Sequence, residues 1–470
     1  MINLTQYRGQ TMAVMGLGKS GLATARALRK GGAHVIAWDD SPARREAVAR
    51  EGIKVADLTA ASWSDIDCLV LSPGIAHSFP APHPVAALAR ENGCPIIGDI
   101  QLLAHAAPEA RYIGISGTNG KSTTTSLIGH LLTKNGQHAA IGGNLGRPAL
   151  DFDQMGEEGF YVIEMSSYQL ELTAPVPFDI AVLLNITPDH LDRHGGMDGY
   201  IAAKKRLFDG QRKDHSAIVG VDDAICRSIF DALRGAKHQR VLPISGDHRV
   251  SGGVYAVDRF LYDDSEGKNA PMICLDEIRT LPGTHNAQNA SAAYAAARMA
   301  GLRPSEICDA MRSFPGLSHR QELAAEIDGV LYVNDSKATN SEAAAKALSS
   351  YANIYWIAGG QPKEDGLAAA LPFVNRVRHA FLIGQAADAF AEALAGKTET
   401  TISRTLDAAV GAAHEKAQRD RRPGTVVLLS PACASFDQFA NFEERGREFC
   451  RLVSALPGAN RNIRNYGDAA

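Results

Sequence analysis

The sequence predicts an α/β protein of three domains, each built around a mainly parallel sheet. Three observations support this prediction. Short apolar runs of strand length alternate with stretches of helical periodicity along most of the chain. Two glycine-rich turns each follow an apolar run and precede a helix, which is the order of strand, loop and crossover helix in such sheets. The length of 470 residues is sufficient for about three domains of ~150 residues each.

The composition is typical of an ordinary globular protein, with 45% hydrophobic and 21% charged residues. A net charge of −4 gives no reason to expect nucleic acid or an anionic membrane as a partner. The polar start, MINLTQYRGQ, and the lack of any run near the ~18 apolar residues of a membrane span lead us to expect a cytoplasmic protein. The seven cysteines form no C-x-x-C pair, which favours buried thiols in a reducing compartment over disulfides or zinc.

The first domain, residues 1–99, is predicted to be Rossmann-like. An apolar strand enters a G-x-G-x-x-G turn formed by Gly16, Gly18 and Gly21, and a helix follows. The second strand ends at Asp39, 23 positions after the first glycine, where a dinucleotide-binding fold holds a ribose or base. Alone, this pattern is typical of a nicotinamide dehydrogenase. Any ligand with a pyrophosphate can use the same helix start, however, and a purely structural tight turn is the simpler alternative.

Two further strands complete this domain, giving four in all. The strand DCLVLSPGIA ends at Ser72, Pro73 and Gly74, and PIIGDI ends near Asp99. Strands separated by helices over about 100 residues make one parallel sheet.

The central domain, residues 100–315, begins with IGISGTNGKSTTT, an apolar strand followed by a glycine turn and a helix. Backbone N–H groups and the positive end of the helix form a nest for phosphate oxygens; Lys121 adds a charge and Ser122 a hydroxyl ligand for Mg²⁺. The strict pattern requires glycine where this chain has Ile115, so an ordinary strand–turn–helix connection is the alternative. The context favours a nucleoside triphosphate site comprising Gly117, Thr118, Asn119, Gly120, Lys121, Ser122 and Thr123.

Polar residues follow the next strands of this predicted sheet. Asn144 lies in a glycine turn, Glu164 ends the strand FYVIE, and His190 follows the strand that ends at Asn185. Because ligands bind outside the carboxyl ends of parallel strands, we expect Glu164 and His190 to converge on the edge that holds Lys121. A surface or capping histidine and a strand-end carboxylate with an amide partner are the alternatives.

The rest of the central domain is less informative. Lys204 and Lys205 are adjacent on a predicted helix, which usually indicates a solvated face. Residues 215–282 alternate short strands and turns. Asn286 and Asn289 share one face at the start of an alanine-rich helix, where they could bind an adenine ring or cap the helix.

The third domain, residues 316–470, follows the Pro- and Gly-containing segment FPGLSHRQE and is predicted to be Rossmann-like. Strand and helix patterns alternate again. The strand ends carry small or polar residues, as at a ligand-binding edge: Asp335, Lys337, Thr339, Gly359, Gly360, Ser430 and Ser435.

Seven segments, in order, span nearly the whole chain: GTNGKST, EMSSYQLE, LNITPDHLDRH, THNAQN, HRQE, VNDSKATN and SPACASFDQFANFEERG. Together they resemble the Mur ligases. VNDSKATN and SPACASFDQF are the most discriminating, and they resemble the members of the family that add glutamate.

The resemblance implies an enzyme of peptidoglycan precursor synthesis in the cytoplasm. ATP would phosphorylate the carboxylate of UDP-N-acetylmuramoyl-L-alanine, the amine of D-glutamate would attack the acyl phosphate, and ADP and phosphate would be released. It also implies two Mg²⁺ ions, a monomer, small-molecule substrates without nucleic acid or membrane, and three domains that close around UDP-sugar, ATP and amino acid. Related enzymes add L-glutamate, so the D enantiomer is an expectation.

The resemblance also implies roles for individual residues. Catalytic roles fall on Lys121, His190 and Lys204, where Lys204 would be carbamylated and Lys205 is the alternative. The metal ligands would be Ser122, Glu164, His190 and the carbamate of Lys204. Nucleotide contacts would also include Asn286, Asn289, Arg320 and Asp335. The UDP-sugar side would comprise Gly18, Asp39, Ser72, Gly74, Asn144 and Gln169, and the glutamate side Lys337, Thr339, Lys363, Ser435 and Phe442.

The sequence departs from the family pattern after Asp39. The family often has threonine and arginine there, whereas this chain has Asp40 and Ser41, which leaves the uracil contacts open. Three other functions remain as alternatives: a nicotinamide dehydrogenase, a related ligase such as a folylpolyglutamate synthetase or a Mur ligase that adds another amino acid, and a nucleotide switch without turnover.

Overall fold

The computed structural model describes residues 1–278, 280–283, 285–363 and 366–459. The chain forms two compact units. The first comprises Met1–Ile278 and Thr284–Phe314, and the second comprises Arg279–Gly283 and Pro315–Ala470. Among the described residues, no helix has both the length and the apolar composition needed to cross a membrane.

The first unit contains two sheets, of which the N-terminal one is parallel and has five strands in the order β3-β2-β1-β4-β5. Its strands are β1 (Thr11–Met15), β2 (His34–Trp38), β3 (Lys54–Val55), β4 (Cys68–Leu71) and β5 (Ile96–Ile97). Its helices are α1 (Lys19–Gly31), α2 (Pro42–Arg50), α3 (Pro84–Glu91) and α4 (Asp99–Ala106). The predicted number of four strands was wrong, because β3 has only two residues, of which Lys54 is exposed, and therefore lacks the apolar run that marks the equally short β5.

The second sheet of this unit has nine strands in the order β14-β13-β12-β11-β10-β9-β6-β8-β7, parallel except where β13 pairs with β12 and β14. The strands are β6 (Arg111–Ser116), β7 (Ala139–Gly143), β8 (Phe160–Glu164), β9 (Ile180–Leu183), β10 (Ser216–Gly220), β11 (Arg240–Ser245), β12 (Val254–Val257), β13 (Phe260–Asp263) and β14 (Ala270–Cys274). The helices are α5 (Lys121–Lys134), α6 (Ser167–Glu171), α7 (Met197–Lys205), α8 (Ala224–Ala236), α9 (His285–Met299) and α10 (Pro304–Arg312).

The second unit contains a six-stranded sheet in the order β15-β16-β20-β17-β18-β19, parallel except for the β15–β16 hairpin. The strands are β15 (Glu322–Ile327), β16 (Val330–Asn334), β17 (Asn353–Gly359), β18 (Val377–Ile383), β19 (Glu399–Arg404) and β20 (Thr425–Leu429). The helices are α11 (Ser341–Ser349), α12 (Ala387–Leu394), α13 (Leu406–Asp420) and α14 (Phe442–Ser454). The three parallel-dominated sheets confirm the predicted fold class.

The central strands of each sheet are mostly apolar and buried, because helices cover both faces of a parallel sheet. Every residue of β8, β9 and β20 is buried. Helix α9 packs closely against α5 and β12, and its run of small buried alanines permits that approach. This packing places the first turn of α9 beside the start of α5.

Candidate active site

The central site is built on the glycine turn between β6 and α5. Gly117 (φ 151°) and Gly120 (φ 84°) adopt backbone conformations that favour glycine. A Cβ atom on Gly120 would also lie 2.1 Å from the Oδ1 atom of Asn289. The positive φ favours glycine at position 120, and a larger residue would also displace the side-chain amide of Asn289. The sequence-predicted strand, turn and helix are therefore present, with the turn opening directly into Lys121 and Ser122.

Asn185, which follows β9, holds this turn from the neighbouring strand. Its carbonyl accepts from the backbone N–H of Thr118 at 2.8 Å, and its Oδ1 accepts from the N–H of Asn119 at 2.9 Å. The sequence analysis identified Asn185 as a strand end but assigned it no role. Its position at the end of a strand was the sequence signal for this role, because β9 pairs directly with β6 and the ends of the two strands therefore lie side by side.

Lys121 and Lys204 both bind the turn. The Nζ atom of Lys121 donates to the carbonyls of Gly117 and Thr118 at 2.8 and 2.7 Å. The Nζ atom of Lys204 donates to the carbonyl of Gly117 at 2.8 Å, and its side chain lies against the Tyr200 ring. Burial, together with the charge of Lys121, lowers the pKa of Lys204 to about 7. Lys204 is 1% exposed whereas Lys205 is exposed, so the solvated-face interpretation applies to Lys205.

Glu164 lies at the end of β8, in register with Ile115 on β6. Its Oε1 atom accepts a hydrogen bond from the Nδ2 atom of Asn144 at 2.7 Å, which joins two of the predicted site residues. Its Oε2 atom is buried and has no hydrogen-bond partner in the described part of the chain. A buried carboxylate oxygen without a partner is costly unless a ligand satisfies it, so this oxygen fits a hard cation.

His190 has a left-handed backbone conformation (φ 51°) and a side chain that is 54% exposed. Its ring lies against Tyr168 with centroids 5.2 Å apart, and its Nε2 atom is 3.6 Å from a carboxylate oxygen of Asp189. The segment that carries His190 is tied to the glycine turn, because Thr187 and Thr118 exchange two hydrogen bonds of 3.0 Å. The structure therefore connects this segment to the glycine turn between β6 and α5.

His194, which the sequence analysis did not single out, anchors the same segment to α6. Its Nδ1 atom lies 2.7 Å from a carboxylate oxygen of Glu171, and its Nε2 atom lies 2.9 Å from the hydroxyl of Ser167. Its side chain is fully buried. Because both partners are on α6, this network couples the His190 segment to the helix that follows Glu164.

Asn286 and Asn289 occupy the first two turns of α9, close to the glycine turn. The Nδ2 atom of Asn289 donates to Asn286 Oδ1 at 3.0 Å, and the hydroxyl of Thr124 donates to Asn289 Oδ1 at 3.3 Å. The two predicted amides are thus brought together beside the start of α5.

In the N-terminal sheet, the glycine turn after β1 is also closely packed. A Cβ atom on Gly21 would lie 1.7 Å from the carbonyl oxygen of Gly16, whereas one on Gly18 would meet nothing within 4 Å. The backbone at Gly18 therefore has open space in front of it. The Ser72 hydroxyl donates to the Gly16 carbonyl at 2.7 Å, which brings the ends of β1 and β4 together.

Asp39 has a structural role in this turn. Its carboxylate accepts from the backbone N–H groups of Leu17 at 2.6 Å and Ser41 at 2.8 Å, and Arg44 lies 3.4 Å away. Burial alone would raise the pKa of Asp39, but these donors outweigh it and lower the pKa.

Gln169 and Gly74 lie where the two sheets of the first unit meet. Gln169 forms a capping box with Ser166 at the start of α6. The carbonyl of Gly74 accepts a hydrogen bond of 3.2 Å from Arg193, which precedes His194.

The second unit carries its own polar strand ends. The Asp335 carboxylate accepts from the Ser430 hydroxyl at 2.8 Å and from the backbone N–H of Gln321 at 3.1 Å. Burial raises the pKa of Asp335 to about 7. Arg320 lies in the adjacent segment between residues with positive φ, His319 and Gln321.

Four of the five residues predicted to bind glutamate follow the ends of β16 and β20: Lys337, Thr339, Ser435 and Phe442. The Lys337 ammonium lies 5.5 Å from the centre of the Phe442 ring, and the N–H of Thr339 donates to the Lys337 carbonyl at 2.8 Å. Ser435 is 2% exposed, and its carbonyl accepts from two backbone N–H groups in its own loop. Lys363 is exposed, after β17.

Arg445 on α14 connects these two loops, although sequence analysis assigned it no role. Its guanidinium donates to the Ser336 carbonyl at 2.8 Å, the Cys433 carbonyl at 3.1 Å and the Ala434 carbonyl at 3.3 Å. Its Nε atom donates to the Ser336 hydroxyl at 3.0 Å. The signal was a single cation inside the segment ANFEERG.

Comparison with known proteins assigns these elements to a family. Three family models match in order: "Mur ligase MurD-like, N-terminal domain" over residues 10–98, "Mur ligase middle domain" over 115–297 and "Mur ligase, glutamate ligase domain" over 319–433. A protein of Rhodospirillum rubrum is 53% identical, with 97% of each chain covered. This chain belongs to the Mur ligase family.

Other relatives agree. A second Mur ligase, from Paramagnetospirillum magneticum, is 51% identical and covers 97% of this chain and 99% of its own. Both relatives bear the name UDP-N-acetylmuramoylalanine--D-glutamate ligase. The Mur ligase family is ATP-dependent.

Solved structures show the same fold at low identity. The ligase MurC of Thermotoga maritima matches with a TM-score of 0.56 and 16% identity, covering 94% of this chain and 98% of that one. MurF of Acinetobacter baumannii also matches with a TM-score of 0.56, at 17% identity, covering 96% of this chain and 93% of that one. These Mur ligase structures support the three-sheet architecture.

Proposed function

We propose that this Mur ligase joins D-glutamate to UDP-N-acetylmuramoyl-L-alanine, converting ATP to ADP and phosphate, in peptidoglycan precursor synthesis. The observation that carries the proposal is the full-length match, at 53% and 51% identity, to two relatives named for that reaction. A nicotinamide dehydrogenase would leave the turn at Gly117–Gly120 and its lysines without a role. The reaction places the protein in the cytoplasm, where ATP and the UDP-linked precursor are found, and we propose that it acts as a monomer.

Each domain takes one substrate in this proposal. Residues 1–99 bind the UDP-sugar, residues 100–315 bind ATP and residues 316–470 bind glutamate. The three reacting groups must meet with water excluded, because an acyl phosphate hydrolyses readily, so the domains close during turnover.

The chemistry has two steps. A carboxylate oxygen of the alanyl group attacks the γ-phosphorus, and the bond to the ADP oxygen breaks, which leaves an acyl phosphate and ADP. The neutral amine of D-glutamate then attacks the acyl carbon, loses a proton, and phosphate leaves as the amide forms. The first step brings two anions together, so it requires fixed positive charge at the site.

Lys121 supplies such a charge. Its ammonium already lies over the glycine turn, bound to the carbonyls of Gly117 and Thr118. We propose that it exchanges these acceptors for phosphate oxygens when ATP binds. The turn residues Gly117 to Thr123 donate backbone N–H groups to the phosphates, and Asn286 and Asn289 contact the nucleotide. Arg320 and Asp335 are proposed as its contacts in the second unit.

The residues around the turn fit Mg²⁺. Ser122, Glu164, His190 and a carbamate on Lys204 would hold two ions, which when bound supply positive charge against the phosphate oxygens. The buried, unpartnered Oε2 atom of Glu164 is the structural support for this assignment. The lysine must first lose its positive charge, and the lowered pKa of Lys204, about 7, leaves a substantial fraction as the free amine that reacts with CO₂ at neutral pH.

The other two substrates have separate residue sets. For the UDP-sugar we propose Gly18, Asp39, Ser72, Gly74, Asn144 and Gln169. For D-glutamate we propose Lys337, Thr339, Lys363, Ser435 and Phe442. Of these, Asp39 acts indirectly, by fixing the backbone of the glycine turn after β1. Its carboxylate already accepts hydrogen bonds from the backbone N–H groups of Leu17 and Ser41.

The deciding experiment measures phosphate release with UDP-N-acetylmuramoyl-L-alanine, ATP and either enantiomer of glutamate. Release that requires D-glutamate and the sugar substrate supports the proposal. If phosphate is released with L-glutamate but not with D-glutamate, the amino-acid substrate is L-glutamate and the proposed stereochemistry is wrong. No release with either enantiomer would refute the ligase function, and sedimentation of the same sample tests the monomer.

A further inference from the structure

Arg193 lies where the two sheets of the first unit meet. Its Nη1 atom donates to the carbonyl of Gly74, in the loop after β4, at 3.2 Å. Its guanidinium lies over the ring of Tyr168 on α6, 4.7 Å from the ring centre. One side chain therefore connects the end of the N-terminal sheet with the edge of the central sheet.

The Arg193 guanidinium has an N–H group that donates to no acceptor in the described part of the chain. This group is the Nε–H, and its nitrogen atom is buried. No carboxylate forms an ion pair with Arg193 among the residues that the structure describes. Arg193 as a whole is only partly buried, so an anion can reach the part of the guanidinium that faces solvent.

Arg206 provides a contrast within the same region. Its Nε atom donates to the carbonyl of Leu170, and its Nη2 atom donates to the carbonyl of Thr173, both at 2.8 Å. Two N–H groups of Arg206 are thus occupied by backbone carbonyls of the protein itself. Arg193 has one such acceptor and an aromatic platform, which orient the guanidinium without occupying its other N–H groups.

The surroundings of Arg193 belong to the proposed active site. Tyr168, on which the guanidinium is stacked, also contacts the His190 ring with centroids 5.2 Å apart. Gly74, to which it is bonded, follows Ser72 in the loop assigned to the UDP-sugar. An anion that reached Arg193 would therefore lie between the UDP-sugar loop and the His190 segment.

We infer that Arg193 binds an anionic oxygen of the UDP-sugar substrate and is a specificity-determining residue for it. The inference rests on the proposed function, in which that substrate carries a diphosphate and a terminal carboxylate. A guanidinium held at one N–H can still present a second edge to either group, which a lysine ammonium cannot do with the same geometry. The shared chemistry is an oxyanion, and the two sources are separable by ligand.

The test compares the wild type with the variants Arg193→Gln and Arg193→Lys. Glutamine keeps an N–H donor for the Gly74 carbonyl but removes the charge. Lysine keeps the charge but lacks the planar arrangement of N–H groups that a guanidinium has. Arg212→Gln is the matched control, because Arg212 is exposed in the same unit. Calorimetric titration measures the Kd of UDP-N-acetylmuramoyl-L-alanine, of UDP-N-acetylglucosamine, which lacks the carboxylate, and of ADP.

We expect Arg193→Gln to raise the Kd of UDP-N-acetylmuramoyl-L-alanine about 10- to 100-fold, with a smaller increase for Arg193→Lys, and to leave the Kd of ADP unchanged. An equal increase for UDP-N-acetylglucosamine identifies the diphosphate as the bound group. An increase confined to the alanyl substrate identifies the carboxylate. In steady-state kinetics the KM for the UDP-sugar should rise while the KM values for ATP and D-glutamate do not.

Two results would overturn the inference. One is an unchanged Kd for both UDP ligands in Arg193→Gln; the other is a parallel loss of ADP binding and thermal stability, which would indicate a purely structural residue. If the wild type binds and turns over its substrates and Arg193→Gln does so equally well, only the role of Arg193 is refuted. A wild type with neither binding nor turnover refutes the proposed function itself.

Discussion

Lys121 and Lys204 share one acceptor: each ammonium donates to the carbonyl oxygen of Gly117 at 2.8 Å. Two cations on one carbonyl repel each other, and Lys204 is also deeply buried. Both effects favour the neutral amine and lower the pKa of Lys204 to about 7. The site thus combines a permanent cation at position 121 with a lysine whose charge can be removed.

The first prediction concerns that lysine. Lys204→Ala should reduce the rate of phosphate release at least about 100-fold, because the variant could form neither the proposed carbamate nor the cation site that the carbamate would complete. Added short-chain carboxylates should restore part of the rate, since a free anion can occupy the vacated volume. The rate is measured at constant pH with and without each carboxylate.

Lys205→Ala is the control for this experiment, because Lys205 is the exposed neighbour on α7. It should retain wild-type turnover. If Lys204→Ala were fully active, or Lys205→Ala were the impaired variant, the assignment of the carbamate to position 204 would be wrong.

The second prediction concerns the glycine turn. Gly120→Ala should weaken the binding of ADP, since the residue has a φ of 84° and the new methyl group, 2.1 Å from Asn289 Oδ1, would displace that side-chain amide. Gly136→Ala shares the positive φ, 78°, but meets nothing within 4 Å, so it should cost only about 1 kcal/mol of stability. Titration with ADP and thermal unfolding separate the two effects. Equal behaviour of both variants would show that contact with Asn289 is unimportant.

The sequence allowed the strand, the glycine turn and the helix around Lys121 to be predicted because they depend on local patterns. A glycine turn between an apolar strand and a helix is visible in the chain, and so is a carboxylate such as Glu164 at a strand end. The parallel-sheet rule then placed these groups at one edge. The structure agrees, with Glu164 in register with Ile115 beside the turn.

The residues that sequence reasoning missed act through distant partners. Asn185 binds a turn that is 66 positions away, His194 binds Ser167 at a separation of 27, and Arg445 binds Ser336 at a separation of 109. The local signals, a strand end for Asn185 and a single cation in ANFEERG for Arg445, do not show which residues these side chains bind. Their roles become apparent only when the sheet order is known.

The third prediction concerns pH. The pKa of Asp335 rises from 3.8 to about 7 because the carboxyl is buried, so the folded protein keeps a proton that the unfolded chain releases. Stability must therefore fall as pH rises from about 4 to about 7, by a few kcal/mol, and then level off. Asp335→Asn should lack this component. Urea unfolding of both proteins between pH 5 and pH 8 measures it.

Asp328→Asn is the control, because Asp328 is an exposed carboxylate in the same unit. The stability of the wild type relative to Asp335→Asn should decrease with pH, while its stability relative to Asp328→Asn should change little. Parallel pH profiles for the wild type and Asp335→Asn would contradict the prediction.

The fourth prediction concerns Arg445, which is 1% exposed and donates to four oxygens of the loops that carry Lys337 and Ser435. Burial lowers the pKa of Arg445 to about 10, so the guanidinium stays charged at neutral pH. Arg445→Lys keeps a charge but cannot reach all these acceptors, and it should reduce the free energy of unfolding by about 3 kcal/mol.

The same variant should raise the KM for D-glutamate more than the KM for ATP, because the loops proposed to bind the amino acid would lose their common anchor. Arg447→Lys, an exposed position on α14, should change neither quantity. Urea unfolding and steady-state kinetics measure the two effects separately. If Arg445→Lys lost stability but kept the wild-type KM for D-glutamate, the guanidinium would stabilise α14 without organising the glutamate loops.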